Sequence, residues 1–384
     1  MLKQYKLRNY HFQLVIYIAI LNIIGILIIG SAKHSVQKMQ IVGLVLGLIV
    51  MTVISLMDYS VLLRLAPLYY FGIIGLLVGV QLFGSTTGGA QRWISIAGIR
   101  FQPSELAKIV IILVFSYFFG KHQDHINNIK TLIISFALVS VPLVLILKQP
   151  DTSTTIAAAL IFISLLFIAG LSYKIVLTVI GISIPIGIIG ITMIIRMAQN
   201  SSNSDYRFGR IMAWLYPTDG RWSDKAAQQQ NSIMAIGSGQ LWGKGLNNSV
   251  ATSMKNANYI IEPQTDFIFA VAGEELGFVG TIIIILLLLF IVIECILIGR
   301  KAKDMSGRLI CCGMAALVGF QSIFNIFVAT GLMPNTGIPL PFVSYGLTSL
   351  VTLYMGMGFV LNVGLQPKKI LGEGSFNEYR TCST

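Results

Sequence analysis

Carboxylates are scarce in this chain, 15 Asp plus Glu among 384 residues, yet the stretch Tyr259–Gly280, YIIEPQTDFIFAVAGEELGFVG, holds Glu262, Asp266, Glu274 and Glu275. The last three enter an apolar run, where an ionised side chain is costly and marks function by default. A helix starting near Thr265 would place Asp266 in its first turn and Glu274 two turns on, about 12 Å deeper on much the same face. A first-turn acid also suits the helix dipole. Capping alone does not account for three carboxylates in one apolar helix, so Asp266 is read as a group that does chemistry. Glu274 and Glu275 stay open between lining a cavity and tying helices together. Gly273, Gly277 and Gly280 would let a neighbouring helix approach closely.

Four further clusters carry polar groups. In Gly88–Lys108, GGAQRWISIAGIRFQPSELAK, Arg92 and Trp93 occupy a loop, Pro103 and Ser104 read as a helix start, and Glu105 lies in the first turn with Lys108 three residues on. A capped helix with a local ion pair explains Glu105 as well as function does; Lys108, a turn deeper, needs a partner or a wet cavity. In Lys148–Thr155, KQPDTSTT, Asp151 either caps the next helix or pairs with Lys148 at a cavity wall. The long segment 198–264 adds Arg207, Arg210 and Lys244, the last within the glycine-punctuated run IGSGQLWGKGL. Exposed backbone N–H groups beside cations suit phosphate oxygens. The spacing is not that of a nucleotide-binding P-loop, and a solvated loop with interface-anchoring cations explains any single one of these residues equally well. Gly331–Ser349, with Pro334, Pro339 and Pro341, cannot continue a helix and reads as a packed re-entrant loop in which Ser344 is a structural or cavity group.

The elements that must position these residues are membrane helices. With 55% hydrophobic and 11% charged residues and a mean hydropathy of +0.79, the chain is not a soluble protein. Apolar runs of the length that crosses a ~30 Å hydrocarbon layer recur, and the short alternating segments of a spanning barrel are absent. The fold class is therefore all-α, a polytopic membrane protein with about ten spans, near 11–31, 40–57, 61–83, 104–120, 130–147, 154–170, 173–195, 267–298, 308–331 and 348–364. A large loop, 198–264, joins the seventh and eighth, residues 1–365 form one integral-membrane domain, and 366–384 are a cytoplasmic tail. The eighth run is too long for a straight crossing and must tilt, kink or project. The first apolar run has no small-residue cleavage site and reads as a retained helix.

Basic residues set the orientation. Clusters such as Lys3–Lys6–Arg8 and Arg300–Lys301–Lys303–Arg308 fall on one side, against Lys33, Lys38, Arg92, Arg100 and Lys148 in the short loops of the other. Both termini are then cytoplasmic in a cytoplasmic-membrane protein, and 84–103, 148–153, 198–264 and 332–347 face outward. All four tryptophans, Trp93, Trp214, Trp222 and Trp242, lie in these outward segments, as rings at a membrane–water interface would. The net charge of +12 is dispersed between apolar runs without a nucleic-acid-binding motif, so anionic lipid or phosphate is the implied counterpart and nucleic acid is not. Four histidines in no metal-binding spacing, and cysteines in or beside apolar runs or in the tail, suggest neither a structural metal nor a disulfide framework.

Five segments together resemble the shape, elongation, division and sporulation (SEDS) family, the RodA and FtsW proteins of bacterial cell-wall synthesis. They are RWISIAGIRFQPSELAK (Arg92–Lys108), QPD (Gln149–Asp151), AIGSGQLWGKGL (Ala235–Leu246), TDFIFAVAGEELGFVG (Thr265–Gly280) and GIPLPFVSYG (Gly337–Gly346), the last closer to the RodA branch. The resemblance implies a peptidoglycan glycosyltransferase acting on lipid II at the outer membrane face, for cell elongation, with a class B penicillin-binding protein as partner. It places the family's essential aspartate on Asp266 and its polar cavity residues on Glu105 and Lys108. Arg92, Trp93, Asp151, Arg207, Arg210, Lys244 and Thr265 join these as substrate contacts. The chain departs from the family at Gln264, where a histidine is usual, and at Gln240 and Leu347, where glycines are usual.

The chemistry then expected is a single in-line displacement, because an α-linked pyrophosphate becomes a β-linked glycan. Asp266 would be the general base, and Arg92, Arg207, Arg210 and Lys244 would meet the leaving pyrophosphate, with or without a divalent cation such as Mg or Mn. A lipid flippase or other transporter, and a non-catalytic scaffold for the penicillin-binding protein, are the rival classes.

Overall fold

The structure is a computed structural model that describes residues 10–87, 90–96, 99–175, 177–178, 206–218, 220, 222–247 and 259–366. Its helices are α1 (Phe12–Ala32), α2 (His34–Leu56), α3 (Tyr59–Arg64), α4 (Ala66–Phe83), α5 (Pro103–Lys121), α6 (Ile129–Lys148), α7 (Thr152–Ile168), α8 (Tyr206–Leu215), α9 (Ser223–Ser238), α10 (Ile268–Arg300), α11 (Met305–Ala329) and α12 (Leu347–Leu365). Eight of the described helices are long and apolar enough to cross a membrane, and α7 is a shorter apolar helix. The span expected over 173–195 and the tail expected over 366–384 lie almost wholly outside the described residues.

Burial separates the helices into a centre and a rim. α5 and α12 are each 78% buried across their apolar windows, whereas α4 is 22% and α2 28% buried, so α5 and α12 are the axis around which the others stand. α2 packs along α12, α10 against α11 and α1, and α4 against α5. The rim helices turn large apolar side chains such as Phe71, Leu82, Ile49 and Ile133 outward, as helices do when hydrocarbon is their solvent.

Two boundaries differ from the sequence expectation, and the eighth run takes one of the forms expected of it. The run expected over 61–83 is two helices, because Pro67 belongs to the first turn of α4 and cannot continue α3. α2 begins at His34, its polar first turns carried along by the apolar remainder. The long eighth run is one 33-residue segment broken at Gly277, whose φ of 66° and ψ of −165° interrupt the helix. The outward loop 84–103 carries a small antiparallel sheet, order β1-β2-β3: β1 (Ser85–Thr87), β2 (Ala90–Ile96) and β3 (Ile99–Phe101). Among the tryptophans, Trp242 is 75% exposed but Trp222 is buried against Met212, Ala213 and Ala226, where it joins α8 to α9.

A polar knot closes one end of the bundle. Asp304 caps α11 and accepts from the Tyr59 hydroxyl at 3.0 Å. Lys303 donates to Gln366 and lies 4.7 Å over the Tyr59 ring, and Asn362 bonds both Tyr59 N and Ser55 O. The loops that carry the candidate site meet at the other end.

Candidate active site

Asp266 sits just outside α10. The helix starts at Ile268 with Phe267 at its N-cap, so Asp266 belongs to the preceding turn rather than to the first helical turn. Three neighbours fix that turn. Asn325, buried in α11, donates both to Asp266 O and to Ile338 O at 2.8 Å. Ser344 Oγ donates to Thr265 O at 2.7 Å and accepts from Leu340 N at 2.7 Å. Tyr345 N donates to Gln264 O at 2.8 Å. The proline-rich segment 334–345 is therefore a frame for residues 264–266, which accounts for its irregular backbone.

Gly337 is the closest point of that frame. Its φ is +72°, and a Cβ there would meet Asp266 Oδ2 at 3.3 Å and Arg210 Nη1 at 3.8 Å. Arg210, from α8, also donates to Asn335 O at 3.3 Å, so the guanidinium and the carboxylate lie on either side of one glycine. Gly337→Ala combines a left-handed φ with intrusion between these groups. It should cost about 1–2 kcal/mol of stability and lower the turnover number by about 10- to 100-fold; thermal unfolding and steady-state kinetics check both.

Arg92 reaches the same region from β2. It donates to Pro150 O and lies 3.9 Å from Asp151 Oδ1. Asp151 caps α7 through Thr154 N at 3.2 Å and accepts from Gln102 at 3.4 Å. Asp151 thus caps and pairs at once, and its cationic partner is Arg92 rather than the exposed Lys148. Ser153 Oγ donates to Thr336 O at 2.6 Å, stitching the start of α7 to the frame around Gly337.

Asp266 is only partly exposed, and it feels all of these charges. Burial raises its carboxyl strongly; Arg210 and Arg92 lower it, Glu262 and Asp151 raise it, and the balance is a pKa pushed up to about 6. Such a group is ionised at neutral pH yet far more basic than an ordinary aspartate. Around it, several buried side-chain atoms make no hydrogen bond among the described residues: Arg92 Nε, Gln149 Oε1, Gln264 Oε1, Asn325 Oδ1, Asn335 Oδ1 and Thr336 Oγ1. Unsatisfied buried polar atoms are rare in folded proteins, and here they belong to the segments that converge on Asp266.

The remaining candidates fall into two groups. Glu105 and Lys108, 4% and 2% exposed, form a closed ion pair of 2.7 Å, and Glu105 Oε2 also accepts from Ser349 at the start of α12. Lys244 pairs with Glu274 at 2.8 Å, and Ser31 of α1 donates to Glu275 Oε1. Glu274 and Glu275 therefore bond away from Asp266. Trp93 lies on β2 opposite Ser85. Arg207 is on α8, and its side chain lies outside the described residues. Among the described residues no group of three or more His, Cys, Asp or Glu is placed to hold a metal ion. Asn325 was not singled out in the sequence, although an asparagine inside an apolar helix is itself a signal.

A helical membrane bundle with a basic-flanked aspartate at the meeting of its loops has the makeup of a membrane-embedded enzyme. The chain belongs to the FtsW/RodA/SpoVE family of cell cycle proteins, whose model matches residues 6–369. FtsW of Geobacter sulfurreducens, named a probable peptidoglycan glycosyltransferase, is 34% identical over 86% of this chain and 86% of its own. The peptidoglycan glycosyltransferase MrdB of Escherichia coli K12 is 32% identical over 93% and 94%. The crystal structure of RodA, the rod shape determining protein of Thermus thermophilus, superposes with a TM-score of 0.67 at 25% identity, covering 94% of this chain and 98% of that one. A chain from a peptidoglycan synthase complex that coordinates polymerisation and crosslinking gives a TM-score of 0.74 at 25% identity, covering 92% and 97%.

Proposed function

We propose that this peptidoglycan glycosyltransferase polymerises lipid II at the outer face of the cytoplasmic membrane, with Asp266 as general base. The observation that carries the reading is the partly buried Asp266 carboxylate, raised in basicity and flanked across Gly337 by Arg210. In the step, Asp266 takes the proton of the acceptor sugar hydroxyl, and the bond from that oxygen to the donor's anomeric carbon forms. The anomeric carbon–phosphate oxygen bond breaks, and its electron pair leaves with the lipid pyrophosphate. Arg210 and Arg92 supply positive charge where that negative charge develops. A divalent cation arriving with the pyrophosphate would add to the same charge. The unbonded amide oxygens of Gln264 and Asn335 and the Thr336 hydroxyl are suited to sugar hydroxyls.

The orientation rests on the bias of Lys and Arg between the two sides, which makes both termini cytoplasmic and turns the site outward. The likeness to a chain of a synthase complex supports a class B penicillin-binding protein as partner. Relatives named FtsW and MrdB match to nearly the same degree, so the elongation role rests on the RodA-like segment Gly337–Gly346. A transporter would use the buried Glu105–Lys108 pair, but that pair is closed upon itself and upon Ser349.

Purified protein with its penicillin-binding partner should convert lipid II into glycan chains; lipid translocation in vesicles without glycan would replace this reading with transport. Arg210→Ala should lower turnover by about 10²- to 10³-fold. It also removes the first of the charges that lower the Asp266 pKa, so the acidic limb of the activity profile should move above pH 6. A pH–rate series checks the sign.

A further inference from the structure

The break in α10 is filled by another part of the chain. At Gly277 the helix loses its own bonding pattern, and the loop after α9 takes its place: Lys244 N and Gly245 N donate to Glu274 O and Glu275 O at 2.9 Å, while Phe278 N and Val279 N donate to Gln240 O and Leu241 O at 2.8 and 3.2 Å. The backbones touch, since a Cβ on Gly239 would lie 1.9 Å from Gly273 O and one on Gly277 would lie 2.3 Å from Gly243 N. Over this splice lies the Lys244–Glu274 pair, with Glu274 1% exposed. The half-helix from Ile268 to Glu275 is buried at every position, and Asp266 immediately precedes it.

The same loop leads back to the other half of the site. α9 lies on the half-helix through Ile236 and Gly273. It is bolted to α11 by Gln229, which donates to Val328 O and Met333 O, and by Ser232, which donates to Ala329 O. It joins α8, the helix of Arg210, through the Met212, Ala213, Trp222 and Ala226 cluster. The cation and the carboxylate are thus carried by one body whose far end is closed at Gly277.

We propose that Lys244 and Glu274 are positioning residues, which lock α8, α9 and the first half of α10 into one block and so hold Arg210 and Asp266 in register. The proposal rests on reading Asp266 as the general base. Lys244 then works through the block and not as a contact to the pyrophosphate. Glu274 needs Lys244 because a buried carboxylate that loses a cation 2.8 Å away loses charge compensation; the half-helix would shift to expose it, and Asp266 would shift with it. The charges that face Asp266 are Arg210 from α8, Arg92 from β2, Asp151 at the start of α7 and Glu262 from its own turn, and of these Arg210 rides on the block.

The test uses full-length Lys244→Met and Lys244→Arg proteins with the penicillin-binding partner, assayed on lipid II, together with amide hydrogen exchange. Expected for Lys244→Met are a kcat lowered about 10- to 100-fold, a KM for lipid II unchanged to within about twofold, and an acidic limb displaced upward. Faster exchange across both 206–215 and 264–276 should accompany these changes, and Lys244→Arg should restore all of them. A limb that stays in place, a rise in KM alone, or no rescue by arginine overturns the proposal, and a rise in KM alone would reassign Lys244 to the substrate. If the wild-type protein makes no glycan, the general-base reading falls, and exchange then decides separately: coupled opening of both segments keeps the block, and exchange that does not change ends it.

Discussion

Asp266→Asn should reduce glycan synthesis from lipid II by about 10³-fold or more while the protein remains folded. The carboxamide keeps the shape of the carboxylate but accepts no proton at any working pH, and general-base catalysis contributes about 10²- to 10⁴-fold by itself. Asn325, Ser344 and Tyr345 bond the backbone of 264–266 and not the Asp266 side chain, so the frame survives the change. Burial raises the carboxyl, so asparagine should leave the melting temperature level or raise it. The wild-type profile should rise with a midpoint near pH 6, because only the ionised form is a base and protonation below that midpoint removes it. Glu262→Gln removes a neighbouring negative charge that raises the Asp266 pKa, and should draw the midpoint to lower pH. A pH–rate series on the three proteins measures these signs, and full activity in Asp266→Asn would end the assignment.

That a candidate site stands out in the sequence follows from how membranes treat polar residues. In hydrocarbon every charge stands out, so Asp266, Glu105 and Lys108 were visible as violations of an otherwise apolar pattern. The helical class was visible for the same reason. What could not be read was the pairing. Arg92 meets Asp151 across a separation that no local spacing rule covers, and Lys244 meets Glu274 across one just as long-range. The glycine run around Lys244 looked like an anion cradle because exposed backbone N–H groups suit phosphate; those groups donate instead to the carbonyls of a broken helix. A break of that kind is a tertiary event, since Gly277 can be helical or not and the docking loop decides. The split between α3 and α4 was missed although Pro67 signals it locally, because the apolar run 61–83 continues across it.

The Glu105–Lys108 pair should show the largest stability effect of any single charge in the protein. Lys108→Met leaves Glu105 almost fully buried, bonded only to Ser349 among its described hydrogen bonds once the lysine is gone. Breaking a buried pair from one side costs about 3–5 kcal/mol, whereas removing both charges together costs far less. The double variant Glu105→Gln/Lys108→Met should therefore melt well above Lys108→Met in detergent. Activity should follow the fold: the pair fixes the start of α5 to the start of α12, and those helices border the Gln102–Asp151 contact and the frame around Gly337. A glutamine at 105 can still accept from Ser349, so the double variant should regain most of the glycan synthesis lost by the single one. A double variant that melts like wild type but makes no glycan would give the charges themselves a part in the reaction, and the pair would then belong with Asp266 instead of beneath it.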